Sequence, residues 1–334
     1  MFPFHLMGGP DIRAVVERSR PQLVDRVRET YLAHHRGETV NPNSYFLRFP
    51  EKPNARIIAL PAFLRGDPGV AGIKWIASFP DNITRNVPRA SAVLVLNDFA
   101  TGYPFACLEA AQISAARTAA SAVLAAERIH GSRTADRVAV IGAGIIARTV
   151  LEFLASLRWS IGRVAVHDAV PGYARRYAEH AGSLGYPASV ADTPTDAVTG
   201  ADIVLLATTA TEPYLLDVGI LAAGQTVLNI SLRDLGPDVV AAAYNVVDDV
   251  DHCLTAGTSV HLAEQKFGHR DFIDATLAQL LLDEETPGRD KPRVFSPFGL
   301  GVLDLAVGLE VLAAGRRAGR VTAVPEFFGE VERW

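Results

Sequence analysis

Cysteine is nearly absent from this sequence. Of 334 residues only Cys107 and Cys253 carry thiols, far apart and in no CxxC pattern. That excludes a disulfide framework and a cysteine-based zinc site as expectations. A basic excess is also lacking. Lys and Arg number 32 against 37 Asp and Glu, a formal charge of −5, whereas a chain that wraps nucleic acid carries a basic face. No apolar run reaches membrane-spanning length, and the nearest, residues 110–126, is broken by Gln112 and Arg117. The first twenty residues hold no basic leader followed by an apolar core, so no secretory signal is expected and the expected location is the cytoplasm. Repeats and low-complexity tracts are missing as well. What is present is a chain with hydrophobic content of 49%, long enough for two folded domains.

The two halves differ in style. Residues 11–36 keep apolar side chains at helical spacing and predict one or two amphipathic helices. Short β-prone runs follow at 45–49, 56–61, 69–79 and 91–98, separated by Pro, Gly, Asn and Asp. Thr101-Gly102 reads as a hairpin turn, so this part reads as a largely antiparallel sheet. An alanine-rich helix is expected from Cys107 to Ile129, stopping at His130-Gly131-Ser132. After Arg133 strands alternate with helices: DRVAVIG, ARTVLEFLASL, RVAVHD, GYARRYAEHAGSL, then ADIVLLAT, QTVLNIS and YNVVDD. That rhythm predicts βαβ units and a parallel sheet. A last helix is expected over residues 300–318, with the chain end returning to the first domain.

The sharpest motif lies at the first of these units. VAVIGAGIIA places Gly142-x-Gly144-x-x-Ala147 between a strand and a helix opened by Ile145 and Ile146. Gly142 permits the tight turn, Gly144 lets backbone approach a pyrophosphate, and Ala147 lets the helix lie close to the strand. The helix N-terminus then offers free N–H groups to the phosphates. Asp168 ends the second strand, near the spacing of a ribose-binding acid, and its charge would repel a 2′-phosphate. The expected cofactor is therefore NAD, with Arg175 and Arg176 nearby as groups that could admit NADP. Thr208 and Thr209, at the end of the fourth strand, read as nicotinamide-lining residues or as a plain turn.

Two cations in the first half stand out. Arg117 interrupts an alanine-rich helix, where a buried guanidinium needs an anion, either a substrate carboxylate or an internal acid. Lys74 lies in the strand GIKWIAS and reads either as a ligand or as part of a solvated strand face. Trp75 then faces the other way, where core packing is expected. Asp234 in LNISLRD reads as a functional acid, a helix N-cap or a turn residue.

GIKWIASFPDN, PRASAVLVLND, TGYPFACLEAAQISAARTAAS, VAVIGAGIIA and LNISLRD together resemble the ornithine cyclodeaminase/μ-crystallin family. The resemblance covers nearly the whole chain. It implies an α/β protein: a Rossmann NAD-binding domain at 131–299 and an α+β substrate and dimerisation domain built from 1–130 and 300–334. It implies that Lys74 and Arg117 bind a substrate carboxylate, that Asp234 is catalytic and that Gly142 and Gly144 line the cofactor; Lys74 is a second catalytic candidate, and with the motif reading Ile145, Ile146, Asp168, Thr208, Thr209, Ser231 and Gly299 are the further candidate cofactor residues. The first strand departs from many relatives, with NPNSYFLR in place of a basic residue after proline, and Arg48 is the candidate substitute. Ser296-Pro297-Phe298-Gly299 replaces a Ser-Thr-Gly run. The implied function is an NAD-dependent amino-acid dehydrogenase acting on a CH–NH donor. The expected reaction is oxidative cleavage of N-(2-amino-2-carboxyethyl)-L-glutamate in siderophore or antibiotic biosynthesis. Ornithine cyclisation to proline, alanine dehydrogenase or ketimine reductase chemistry, and a non-catalytic ligand-binding role are the alternatives. A homodimer is expected, with no nucleic-acid, membrane or metal partner; the spacing of His252, His261 and His269 matches no common zinc pattern.

Overall fold

Alternation of apolar and polar residues before Asp98, and continuous apolar runs after Arg133, sort the chain into two sheets. The computed structural model describes residues 2–67, 69–330 and 332. The order is β1 (Phe4–Met7), α1 (Gly9–His35), β2 (Thr39–Val40), β3 (Tyr45–Phe49), β4 (Lys52–Leu64), β5 (Val70–Ser78), β6 (Ala90–Asp98), β7 (Pro104–Glu109) and α2 (Ala111–His130). There follow β8 (Thr134–Ile141), α3 (Ile145–Ser156), β9 (Ser160–His167), α4 (Pro171–Ser183), β10 (Ala188–Val190), α5 (Pro194–Val198), β11 (Ile203–Leu206), β12 (Thr226–Asn229) and α6 (Pro237–Ala241). The rest is β13 (Tyr244–Val247), α7 (Val250–Cys253), α8 (Ser259–Phe267), β14 (Ile273–Thr276), α9 (Leu277–Leu281), β15 (Arg293–Phe295), α10 (Gly301–Arg317) and β16 (Thr322–Val324). Two compact units result, Met1–Arg117 with Leu300–Trp334, and Thr118–Gly299, so the division falls inside α2.

In the first unit the strands run β16-β1-β7-β6-β5-β4-β2, with β3 also on β4. All pairs are antiparallel except β1 beside β7. Asp98 builds the β6–β7 turn by accepting the Thr101 N–H at 2.8 Å. The expected helix start at Cys107 needs correction. Cys107 pairs with Val95 and Leu108 with Leu94, so ladder bonds claim residues 107–109 for β7. Glu109 then caps α2 by accepting the N–H of Ala111 at 2.7 Å and of Gln112 at 3.2 Å. The predicted segment at 11–36 is one helix with Pro21 inside it. The chain end returns through β16, which pairs with β1.

The two faces of this sheet differ. Helix α10 lies on one, so close that a Cβ on Gly308 would stand 2.3 Å from Leu94 Cδ2. Asn41 Oδ1 accepts the Val302 N–H at 3.0 Å and so caps a helix whose own N-cap, Leu300, has no side-chain acceptor. On the other face Tyr45, Ala59, Trp75 and Val93 form one cross-strand row. Trp75, expected in the core, is 41% exposed there, and Tyr45 is 70% exposed. The period-two alternation of a strand gives α10 the Lys74 side and leaves Trp75 outside.

The second unit holds eight parallel strands, β10-β9-β8-β11-β12-β15-β13-β14. Val138, Val140, Val164, Val166, Val204 and Val227 are all buried, as strands covered on both faces require. Strand order reverses between β8 and β11, and the carboxyl ends of that pair mark the point where such sheets bind ligands. Among the described residues no helix is long and apolar enough to cross a membrane.

Candidate active site

The glycine turn sits at this reversal. Gly142 has φ of 91°, and a Cβ there would lie 2.5 Å from the Ala207 carbonyl oxygen, so only glycine fits between β8 and β11. Nothing stands within 4 Å of a Cβ on Gly144, which leaves open space where a pyrophosphate would lie. Gly144 is also the N-cap of α3 and makes no side-chain cap bond, so the first N–H groups of a twelve-residue helix have no capping side chain. Ile145 is exposed, Ile146 half-buried and Ala147 buried, with its carbonyl accepting the Tyr177 hydroxyl at 3.1 Å. Asp168 is held beside the turn: Oδ2 accepts the Ala143 N–H and Oδ1 the Val170 N–H, each at 2.8 Å. Arg176 bonds the Gly172 carbonyl and lies over the Tyr173 ring. These residues fit a dinucleotide: a turn without side chains, an uncapped helix end and an anchored acid.

Asp234 is fully buried in the same unit. It is not a helix N-cap, since Gly236 takes that position on α6. Thr208 Oγ1 donates to Asp234 Oδ1 at 2.5 Å and Ser231 Oγ donates to Oδ2. The Tyr214 phenol, 36% exposed, also bonds Asp234. Burial, and then the Asp234 charge, raises this phenol well above its ordinary value, so it stays a donor. Thr208 and Ser231 thus serve the acid, and Thr209 is exposed. The loop that carries Asp234 is strained at Leu232, a non-glycine residue at φ of 76°. It is held there by Ser259 N–H on the Leu232 carbonyl at 2.7 Å and by Arg233 on the Gly257 carbonyl at 2.8 Å.

Gly299, at φ of 96°, closes the turn after β15. The buried Asp248 fixes that turn by accepting the N–H of Phe298 at 2.9 Å and of Gly299 at 2.7 Å. The Cys253 thiol donates to the same acid at 3.1 Å, and burial with that neighbouring charge pushes the thiol well above its ordinary value. Neither Tyr214 nor Asp248 stands out in the sequence, because each takes its meaning from partners distant along the chain.

In the first unit Lys74 is 1% exposed, which overturns the solvated-face alternative. Its Nζ donates to Asp304 Oδ2 at 2.5 Å and to Ser114 Oγ at 3.3 Å. Arg117 Nε donates to Asp304 Oδ1 at 3.3 Å, so its internal acid is Asp304. Burial pushes the Lys74 ammonium down to about 8, against the pull of Asp304, while Arg117 pushes it further down. Asp304 carried a signal like that of Arg117: it is an acid inside the apolar run GVLDLAVGL. Arg48 is not brought to this cluster. Its row on the sheet is that of Ser78, four residues along β5 from Lys74, and its guanidinium lies over the Phe46 ring at 5.3 Å. His252 contacts Asp249 and His261 accepts the Gly257 N–H. Among the described residues no group of three or more His, Cys, Asp or Glu is placed to hold a metal ion.

The sequence profile of the ornithine cyclodeaminase/mu-crystallin family matches residues 12–307. N-((2S)-2-amino-2-carboxyethyl)-L-glutamate dehydrogenase of Staphylococcus aureus is 32% identical over 297 residues, 85% of this chain and 87% of that protein. Among solved structures, the Delta(1)-pyrroline-2-carboxylate reductase of Thermococcus litoralis, in complex with NADH and L-proline, superposes with a TM-score of 0.88. It is 24% identical and covers 96% of this chain and 100% of its own. An archaeal alanine dehydrogenase dimer with bound NAD superposes at 0.86, 22% identical, covering 98% and 100%. Both share the fold.

Proposed function

The chain belongs to the ornithine cyclodeaminase/mu-crystallin family, and on that premise we propose that it cleaves N-(2-amino-2-carboxyethyl)-L-glutamate oxidatively to L-2,3-diaminopropionate and 2-oxoglutarate, with NAD as cofactor. The observation that carries this reading is the 32% identity with the Staphylococcus aureus dehydrogenase across most of both chains. The anchored Asp168 beside the open Gly144 supports NAD over NADP.

When bound, NAD supplies the acceptor for the hydride that leaves the glutamate α-carbon. Lys74 and Arg117 hold substrate carboxylate, which orients the carbon to be oxidised. Asp234 takes the proton from the substrate nitrogen so that the nitrogen lone pair assists hydride loss. Its carboxylate is fully buried, so the proton reaches it through one of its hydroxyl partners, Thr208, Ser231 or Tyr214. Hydride loss leaves an iminium; water adds to it and releases one proton, Asp234 returns its own proton to the nitrogen, and the protonated carbinolamine collapses to the two products.

A homodimer belongs to this reading. The apolar row Tyr45–Ala59–Trp75–Val93 supplies the face for it, and the archaeal neighbour is a dimer.

The test is an assay with NAD and N-(2-amino-2-carboxyethyl)-L-glutamate, following NADH and 2-oxoglutarate. Equal amounts of both are expected. Proline from ornithine, without NADH from the first substrate, would overturn the assignment in favour of a cyclodeaminase.

A further inference from the structure

Two cations and one acid meet out of water in the first unit. Lys74 and Asp304 are 1% and 0% exposed and Arg117 is 12% exposed. Each carboxylate oxygen of Asp304 serves a different cation: Oδ2 takes Lys74 and Oδ1 takes Arg117. Two positive charges and one negative leave one charge uncompensated in a setting where that is expensive. Asp304 itself sits in the first turn of α10, where the helix dipole favours an anion. Leu60 and Leu94 stand opposite Lys74 on β4 and β6 and carry no charge. The charged groups that face it are Asp304 from α10 and Arg117 from α2, with the Ser114 hydroxyl beside them.

We propose that Asp304 is the positioning residue of the substrate site: its carboxylate gathers Lys74 and Arg117 into a triad with one net positive charge, which admits a single further carboxylate and sets the pH above which the site releases it. This rests on the reading of Lys74 and Arg117 as substrate ligands. Burial lowers the Lys74 ammonium to about 8 although Asp304 holds it up. The lysine therefore gives up its charge just above neutrality, and without Asp304 it does so at lower pH still. Arg117, a guanidinium, keeps its charge throughout.

The experiment measures KM and kcat for N-(2-amino-2-carboxyethyl)-L-glutamate from about pH 6 to about pH 10, with calorimetric binding of 2-oxoglutarate over the same range. In the unsubstituted protein affinity is expected to fall above about pH 8, where Lys74 loses its charge. In Asp304→Asn the falling limb moves down by about one pH unit, a roughly tenfold rise in KM near pH 8, with kcat changing less. Asp304→Glu restores most of the limb's position. A urea-unfolding transition that matches the unsubstituted protein's in shape and extent shows that each variant folds. A limb unmoved in Asp304→Asn overturns the proposal. Should that variant fail to fold, Lys74→Arg decides: the limb is expected to vanish, and one that persists belongs to another group and overturns the triad. Failure of the reaction reads differently. No turnover, with 2-oxoglutarate binding and its limb intact, removes the substrate assignment and leaves the triad; turnover with an unmoved limb does the reverse. No carboxylate binding at any pH removes both.

Discussion

Two backbone N–H groups fix the Asp168 carboxylate just past β9, one from Ala143 in the glycine turn and one from Val170, two residues on from Asp168 itself. An acid held so firmly cannot swing away from a 2′-phosphate. Asp168→Ser should cut the preference for NAD over NADP in kcat/KM about tenfold, the effect of roughly 1–2 kcal/mol of charge repulsion; an unchanged ratio would show that Asp168 does not read the ribose. Asp234 is the acid on which the proposed mechanism turns. Asp234→Asn keeps shape but not basicity, and should lower kcat by about 10²–10⁴ while NAD still binds. Near-full activity would remove its role and leave the reaction. The glycine motif and Asp168 are legible as residues because their geometry is local, confined to one turn and the strand beside it. Asp304 is marked in the sequence only as an acid inside an apolar run, and its partners are not, because an acid in a helix's first turn also looks like a response to the dipole until Lys74 and Arg117 are seen to meet it.

At the scale of elements, β5 carries the buried cation of the first unit, Lys74. Its lysine has an ordinary value of 10.5 and is pushed to about 8 by burial. Below pH 8 the lysine is charged in both folded and unfolded chains, and its desolvation counts fully against the fold. As pH rises from 8 to 10.5 the folded chain sheds the proton first, and that penalty is relieved. Stability of the unsubstituted protein relative to Lys74→Met should therefore rise through this window by up to about 3 kcal/mol, measured by urea unfolding at about pH 7 and about pH 10. A constant difference would contradict it. The element boundaries that pattern misplaces have a physical cause. CLEAA looks helical by composition, but its first three residues are paired to β6 before Glu109 opens the helix. Ladder partners outweigh a propensity of tenths of a kcal/mol per residue.

At the scale of the molecule, the first unit's sheet presents Tyr45, Trp75 and Val93 to solvent in one row. If the proposed homodimer forms through this row, Trp75→Lys should give a protein of half the mass of the unsubstituted one in sedimentation, because a desolvated ammonium in such a row costs several kcal/mol. An unchanged mass would place the interface elsewhere or remove it. A core reading of Trp75 follows naturally from its size and apolarity, and it fails because hydrophobicity alone does not say which face of a strand a helix covers.

By itself the sequence determined what depends on short-range spacing. That includes a parallel sheet from alternating strands and helices, and a glycine turn with an acid after it. Only the tertiary structure decided which charges share a partner. Lys74, Arg117 and Asp304 come from a strand and two helices far apart in the chain, and each alone admits a bland explanation. Their meaning lies in desolvation, which exists only once β5, α2 and α10 have closed around them: a buried charge must find its counter-charge in space, whatever the distance along the chain.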